Sequence, residues 1–313
     1  MKVCVVGAGA AGCTIGGTLT EGGSDVWLID SYKEHVDVMN AIGLRMRDGD
    51  VERTVKVNAR TSCDGIGVAD LVIVLVKSFH TRQAVESAAP IIGSNTLVMS
   101  LQNGLGHEDI IADVVGRERV LGGKTYAGGV FLGAGHVRAT TAGKETIIGE
   151  LDGSITDRVR AVADEFNRAK LLTIVSDNIM AVMWDRLLIN VATGALSAIT
   201  RLTYGGLYRV PDLEACATAA VAEGMAVARA AGVRLSTDDP RQSWIKAAQG
   251  LPPEFKASML QSLENNTPTE IDFINGAVIR SGEKYGVPTP VNQTLVACVK
   301  GIEFSTTAYP GKA

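Results

Sequence analysis

Val3-Cys4-Val5-Val6-Gly7-Ala8-Gly9-Ala10-Ala11-Gly12, followed by Val26-Trp27-Leu28-Ile29-Asp30, is the stretch on which the fold turns. A short apolar run rich in β-branched residues enters a glycine turn. The alanine, glycine and leucine segment after Gly12 suits a helix as far as Glu21, and Gly22-Gly23 stops it. A second apolar run then ends in an acid. Strand, G-x-G-x-x-G, helix, strand, acid is the order of a dinucleotide-binding βαβ unit. Gly7 permits the tight turn, Gly9 lets backbone approach a diphosphate, and Gly12 lets helix and strand pack closely. The diphosphate would rest on Gly7, Ala8, Gly9, Ala10, Ala11 and Gly12 at the helix N-terminus, where free N–H groups and the helix dipole favour an anion. Among 35 glycines a bare G-x-G-x-x-G carries little. Its weight comes from its place between two apolar runs, with Asp30 eighteen residues past Gly12. The competing reading is a glycine-rich turn that binds nothing.

A chain of 313 residues is long enough for two domains, each with its own core. A net charge of −4 and the lack of a basic cluster argue against nucleic acid. No apolar run approaches the roughly 20 residues that span a bilayer. The N-terminus reads as a strand rather than a signal peptide, so a cytoplasmic location and no membrane partner are expected. Cys4, Cys13, Cys63, Cys216 and Cys298 are scattered, with no C-x-x-C or Cys/His pairing, so no metal is expected. His35, His80, His107 and His136 show no ligand spacing, and most are expected on the surface or in loops.

Downstream, Ser31–Ile42 reads as a helix stopped by Gly43, and Asp48-Gly49 signals a hairpin within 44–58. Leu71-Val72-Ile73-Val74-Leu75-Val76 is a continuous apolar run, as in a strand buried on both faces of a parallel sheet. It ends at Lys77-Ser78. A helix over 81–92 and a strand over 96–101 follow, the latter running into Gln102-Asn103-Gly104. Alternating strand and helix means a doubly wound sheet, whose ligands collect at the carboxyl ends of the strands. Gly7 to Gly12, Asp30, Lys77 and Asn103 would share that edge. Lys77 either contacts a ligand or is a solvated strand-end lysine. Asn103 is either hydrogen-bonded in a site or simply forms an Asn-Gly turn. Several strands with glycine turns span 120–148, then a helix over 156–169 and a strand over 171–175. From Ser176 strands vanish. Ser176-Asp177 can cap a helix from Asn178 to about Thr200. Further helices read over 211–231, 244–249, 269–285 and 292–302. The expected domains are 1–176, a dinucleotide-binding α/β domain, and 177–313, a helical substrate and dimerisation domain.

The first helix of the second domain carries Trp184-Asp185-Arg186-Leu187-Leu188-Ile189-Asn190, then Gly194. Arg186, Asn190 and Gly194 are four apart and line one face. An Arg and an Asn on an apolar helix are costly to bury unless something polar meets them. A 2-oxo acid would do so, as would an Arg–carboxylate pair at a domain interface.

Taken together, Gly7 to Gly12, Val76-Lys77, Gln102-Asn103-Gly104, 184–190, Ser258-Met259-Leu260-Gln261 and Thr269-Glu270-Ile271-Asp272-Phe273-Ile274-Asn275-Gly276 give the chain its resemblance. It resembles the ketopantoate reductases (2-dehydropantoate 2-reductases) over nearly its whole length. The resemblance implies a Rossmann domain followed by an all-helical domain of the 6-phosphogluconate-dehydrogenase-like type. It also implies reduction of ketopantoate to pantoate in pantothenate synthesis, with a nicotinamide cofactor held between the domains. By position, Lys77 would contact cofactor or substrate and Asn103 the ribose or nicotinamide. Asn190 would bond the substrate's hydroxyl side and Ser258 its carboxylate. Glu270 would lie with cofactor and substrate and support proton transfer. A cleft carboxylate is a natural acid/base, although Glu270 also reads as a first-turn acid favoured by the helix dipole.

Three positions depart from the family pattern. Arg186 stands where the family has a lysine general acid, and a guanidinium does not release a proton readily. It can still clamp a carboxylate or stabilise a developing alkoxide. Gly194 stands where the family has a second asparagine, and a lost hydrogen bond of that kind costs roughly 1–3 kcal/mol. Asp30 stands near the place where NADP-using members carry an arginine. A carboxylate there accepts from the ribose 2′-OH and repels a 2′-phosphate. The expectation is an NAD-preferring reductase of a short 2-oxo acid, ketopantoate or a relative. Its rivals are a dehydrogenase of a different hydroxy or oxo acid and a catalytically weakened NAD-binding sensor. The apolar helical domain raises the expectation of a homodimer.

Overall fold

The computed structural model describes residues 1–308. Two compact units result, Met1–Gln102 with His107–Ile179, and Asn103–Gly106 with the chain from Met180 onward.

The first unit runs β1 (Lys2–Val6), α1 (Ala10–Glu21), β2 (Asp25–Ile29), α2 (Lys33–Ile42), β3 (Leu44–Asp48), β4 (Val51–Val55), β5 (Asn58–Arg60) and β6 (Leu71–Val74). It continues through α3 (Thr81–Ser87), β7 (Leu97–Ser100), α4 (His107–Val115), β8 (Val120–Thr125), β9 (Gly128–Gly133), β10 (His136–Thr140), β11 (Thr146–Glu150), α5 (Asp157–Arg168) and β12 (Thr173–Val175). Eight strands form one sheet in the order β12-β11-β8-β7-β6-β1-β2-β5. From β5 to β8 every pairing is parallel, and β11 then runs antiparallel to β8. The order reverses between β1 and β6, the switch point at which doubly wound sheets bind ligands. Alternate residues of β1 enter different cores. Val3 and Val5 pack with Ile15 and Leu19 of α1 and Phe166 of α5. Cys4 and Val6 pack with Val85 of α3 and Ile111 of α4. Burial on both faces is why these strands read as unbroken apolar runs.

A second sheet, β4-β3-β10-β9, contains the predicted hairpin, turning at Gly49 (φ +59°). Its β9 lies against α1, and close approach at Gly129 requires glycine. A Cβ there would come 2.6 Å from the Arg138 carbonyl oxygen and 2.7 Å from Thr14 Oγ1. The helix expected over 81–92 stops at Ser87. A 3-10 turn, Ala89–Ile91, takes over at Pro90, which lacks the N–H that an α-helix would need. The expectation for the histidines is corrected: His35 and His107 are 0% and 1% exposed. Sequence spacing for metal ligands says nothing about a histidine that serves as an internal hydrogen-bonding group.

The second unit is built of α6 (Ile179–Thr200), α7 (Tyr204–Leu207), α8 (Pro211–Ala230), α9 (Arg241–Ala248), α10 (Ser258–Glu264), α11 (Asn275–Tyr285) and α12 (Pro290–Ala308). By length and composition α6 qualifies as a membrane-crossing helix, contrary to the sequence expectation that no run comes near. Yet 67% of its most apolar window is buried inside the protein, as in a core helix. It packs tightly on α8, since a Cβ on Gly224 would lie 2.6 Å from Leu188 Cδ2. Asn275 is fully buried and donates to Asn292 Oδ1 (3.0 Å). Asn292 in turn donates to the Ala220 carbonyl and to Glu223, tying α11, α12 and α8 together.

The single helix expected over 269–285 is interrupted. A 3-10 turn spans Ile271–Phe273, Ile274 leaves the helical region (φ −109°, ψ −92°), and α11 begins only at Asn275. The carbonyls that would start the helix are used elsewhere. Phe273 O accepts from Leu105 N–H (3.0 Å) and Asp272 O from Arg280 (2.7 Å). The last helix starts at Pro290, earlier than expected, because proline suits a first helical position.

Candidate active site

In the first unit the glycine loop sits at the switch point. Gly7 adopts φ +101°, and a Cβ on it would lie 2.5 Å from the Val76 nitrogen and 2.6 Å from the Leu75 carbonyl carbon. A Cβ on Gly12 would lie 2.0 Å from the Gly7 carbonyl oxygen. Neither position accepts a side chain. Gly9, the N-cap of α1, has nothing within 4 Å of the place its Cβ would take. The loop is anchored to the end of β2 by Gly7 N–H and Ala8 N–H, both donating to Ile29 O (2.9 and 3.1 Å). Open space over Gly9, beside the N-terminus of a 12-residue helix, fits an anionic diphosphate. Ala8 is fully buried, while Ala10 and Ala11 are half-buried at the helix start.

Asp30 follows β2, and its Oδ1 accepts from Tyr32 N–H (2.9 Å), which fixes the carboxylate at the strand end. The neighbouring cations are engaged elsewhere. Lys33 pairs with Asp37 (2.5 Å), and Arg60 donates to Asp64 O while lying over the Trp27 ring.

At the ends of β6, β7 and β8 lies a buried polar group that sequence reasoning missed. Gln102 Nε2 donates to Val76 O (2.7 Å), Ser100 Oγ donates to Gln102 Oε1 (3.0 Å), and Lys124 Nζ donates to Gln102 O (2.5 Å). Lys124 is only 2% exposed. Burial pushes the nearby Glu108 carboxyl up to about 7, opposed by the positive charge of Lys124. The available signal was a lysine inside the apolar strand pattern of 120–125, which is costly unless it is paired. Lys77, one residue beyond the Val76 carbonyl that Gln102 holds, is exposed and opens a 3-10 turn.

In the second unit, Arg186 and Asn190 are half-buried on α6, and Gly194 is buried. The atoms nearest a Cβ on Gly194 would belong to Met259, with Cε 3.2 Å away, so α10 packs directly on this end of the stripe. Ser258 precedes Met259 as the first residue of α10 and is exposed. Beside Asn190, Thr193 Oγ1 shares a hydrogen bond with Tyr204 OH (3.0 Å). Burial raises the Tyr204 phenol, while the Thr193 hydrogen bond and the Arg186 charge lower it, which places Arg186 within electrostatic range of that hydroxyl. Asn103 is exposed, and the chain bends at Asn103-Gly104, with Gly104 at φ +104°. The Leu105–Phe273 hydrogen bond joins that turn to the segment carrying Glu270, which is half-buried. Glu270 precedes a three-residue 3-10 turn rather than sitting in the first turn of an α-helix.

A doubly wound unit with a glycine loop at its switch point, followed by a helical unit with an Arg/Asn stripe, belongs to the NAD(P)-dependent oxidoreductases that act on a CH–OH or oxo group. The family described as "Ketopantoate reductase PanE/ApbA" matches residues 3–153, and "Ketopantoate reductase PanE/ApbA C terminal" matches 178–303, so the chain belongs to the ketopantoate reductase family. The 2-dehydropantoate 2-reductases of Streptococcus pyogenes serotype M18 and Pyrococcus horikoshii are 32% and 34% identical to it. Each match covers 97% of this chain and 98% of the relative. The crystal structure of a PanE/ApbA family ketopantoate reductase from Ralstonia eutropha JMP134 is similar at 36% identity and a TM-score of 0.89, covering 98% of this chain and 100% of that one. D-mandelate dehydrogenase in ternary complex with NADH and anilino(oxo)acetate is similar at 28% identity, with the same TM-score and the same coverage.

Proposed function

We propose that the protein reduces a short 2-oxo acid, ketopantoate or a close relative, with NADH. Residues 1–176 serve as the dinucleotide-binding domain and 177–313 as the substrate domain. The observations that carry this reading lie in the second unit. Arg186, Asn190 and Gly194 share one face of α6, α10 with Ser258 packs on its end, and the Asn103 turn is bonded to the Glu270 segment. The glycine loop holds the diphosphate, and Asp30 accepts from the adenosine ribose. The Asp30 carboxylate would repel a 2′-phosphate there.

When bound, the nicotinamide supplies the hydride that reaches the ketone carbon. Arg186 and Asn190 hold the ketone oxygen as it gains negative charge, and Ser258 holds the substrate carboxylate. Arg186 stays protonated and acts electrostatically. Glu270 supports the delivery of the proton that completes the alcohol.

A second reading is favoured by Gly194. It offers no side chain to a substrate, and the place its Cβ would take is closed by the apolar side chain of Met259, so a less polar 2-oxo acid that needs one hydrogen bond fewer suits this face. The test is oxidation of NADH and NADPH against ketopantoate, aliphatic 2-oxo acids and benzoylformate, for wild type and Gly194→Asn. Turnover of ketopantoate supports the first reading. Preference for the aromatic acid, moved toward ketopantoate by Gly194→Asn, supports the second. Binding of NADH without turnover of any oxo acid would overturn both in favour of a sensor.

A further inference from the structure

His35 lies under the glycine loop with every polar contact assigned. The Gly135 N–H donates to its Nδ1 (2.8 Å), and a backbone N–H can only donate. Nδ1 is therefore unprotonated, the ring is neutral, and the proton sits on Nε2. That Nε2–H faces the Ala8 carbonyl at 2.9 Å. Cys13 Sγ donates to the same carbonyl (2.9 Å) and lies 3.4 Å from Nε2. Burial pushes the Cys13 thiol well above its ordinary value, so it keeps the proton that it donates. The imidazole is shut from solvent, stacked on Tyr32 (6.1 Å between centroids) and met edge-on by Phe131 (5.1 Å). Gly135, at φ +64°, makes the approach possible, since a Cβ there would lie 2.4 Å from Val38 Cγ1.

Ala8 is the second residue of the dinucleotide loop. Across a trans peptide, the carbonyl of one residue and the N–H of the next point in opposite directions. A carbonyl drawn inward by His35 and Cys13 therefore turns the Gly9 N–H outward, over the open space at Gly9. We propose that His35 is a positioning residue for cofactor binding: its Nε2–H sets the orientation of the Ala8–Gly9 peptide, and its Nδ1 ties that peptide to the turn between β9 and β10. The proposal rests on the glycine loop holding the cofactor's diphosphate.

The test is equilibrium binding of NADH and NADPH by fluorescence titration, with thermal melting, for wild type, His35→Leu, His35→Gln, His35→Asn and Cys13→Ala. Glutamine can place an amide N–H near the Nε2 position, and asparagine reaches only the Nδ1 side. His35→Leu and His35→Asn are expected to raise the Kd of the preferred cofactor about tenfold, the size of one lost hydrogen bond to a buried carbonyl. His35→Gln stays within about threefold, and Cys13→Ala weakens binding by about the same small factor. At saturating cofactor, kcat changes little in each. Equal Kd values for His35→Gln and His35→Asn would overturn the proposal, as would losses that follow melting temperature rather than the position of the donor. That contrast decides the matter even if His35→Leu does not fold. Should wild type bind neither nucleotide, the diphosphate assignment itself fails, a result distinct from failure of the His35 assignment.

Discussion

Gly9→Ala and Gly12→Ala make opposite demands on the same loop. At Gly12 two effects compete. Alanine inside a helix gains roughly 0.5–1 kcal/mol over glycine. Its Cβ, however, would lie 2.0 Å from the Gly7 carbonyl oxygen and 3.3 Å from Val5 Cγ1. The first of these is backbone, which cannot rotate away, so helix α1 must lift off the loop. Overpacking of this kind costs about 1–3 kcal/mol and outweighs the helix gain. At Gly9 the backbone (φ −67°, ψ −163°) is one that alanine adopts, and nothing lies within 4 Å of the new methyl. Lower unfolded-state entropy favours alanine by about 0.4–1 kcal/mol, and its poorer N-cap behaviour takes back a similar amount. Gly9→Ala should therefore melt within a degree or two of wild type and bind the nicotinamide dinucleotide at least tenfold more weakly, because its methyl fills the space left for the diphosphate. Gly12→Ala should lose several degrees and also bind poorly. Calorimetric melting and fluorescence titration measure the two effects separately. Wild-type affinity in Gly9→Ala would refute the placement of the diphosphate.

Asp30→Asn should lower kcat/KM for NADH about tenfold, the worth of a charged hydrogen bond to ribose, and narrow the gap to NADPH; an unchanged ratio between the cofactors would remove Asp30 from the choice. Arg186→Met should cut kcat by about 10²–10³, and Arg186→Lys should keep activity while adding a basic limb to the pH–kcat profile near the usual lysine range. No new limb would mean that position 186 does not exchange a proton even when it can. Burial raises Glu108 to about 7, above its unfolded value, so its protonated form is favoured by folding. Wild type should then lose stability relative to Glu108→Gln as the pH rises from about 5 to about 8, and melting curves parallel across that range would contradict this sign.

What could be read in the sequence was whatever the backbone alone determines. Gly7 and Gly12 could be read because no other residue fits their conformation or contacts, and the runs of β1 and β6 because burial on both faces leaves no polar period. The interruption before Asn275 was hidden because Thr269-Glu270 reads as a helix start and no proline breaks 269–285. What breaks it is a hydrogen bond from Leu105, far away in sequence, to Phe273. The same holds for His35, Lys124 and Gln102. Each is a polar side chain whose partner is a main-chain carbonyl on another strand or loop, and a carbonyl has no letter in the sequence. Helix α4 was missed because its first turn, His107-Glu108-Asp109, reads as a solvated surface, whereas His107 and Glu108 are buried.

The two halves of the proposed chemistry differ in how freely a single substitution can change them. The diphosphate part of the nucleotide half is made of backbone: the glycine loop, the start of α1 and the Ala8–Gly9 peptide held by His35. Changing its hold on the diphosphate means changing conformation, and conformations such as φ +101° at Gly7 admit almost nothing but glycine. The substrate half is made of side chains on finished helices, where Arg186, Asn190 and Gly194 occupy successive turns of α6 without any special backbone. One codon there exchanges a proton donor for a fixed cation, or an amide for a bare backbone position packed against Met259, with α6 unchanged. Affinity for a nicotinamide cofactor is therefore inherited with the fold, while the oxo acid is set residue by residue. On that reasoning substrate preference should respond to Gly194→Asn much more strongly than cofactor preference does, even though both are measured in the same reaction.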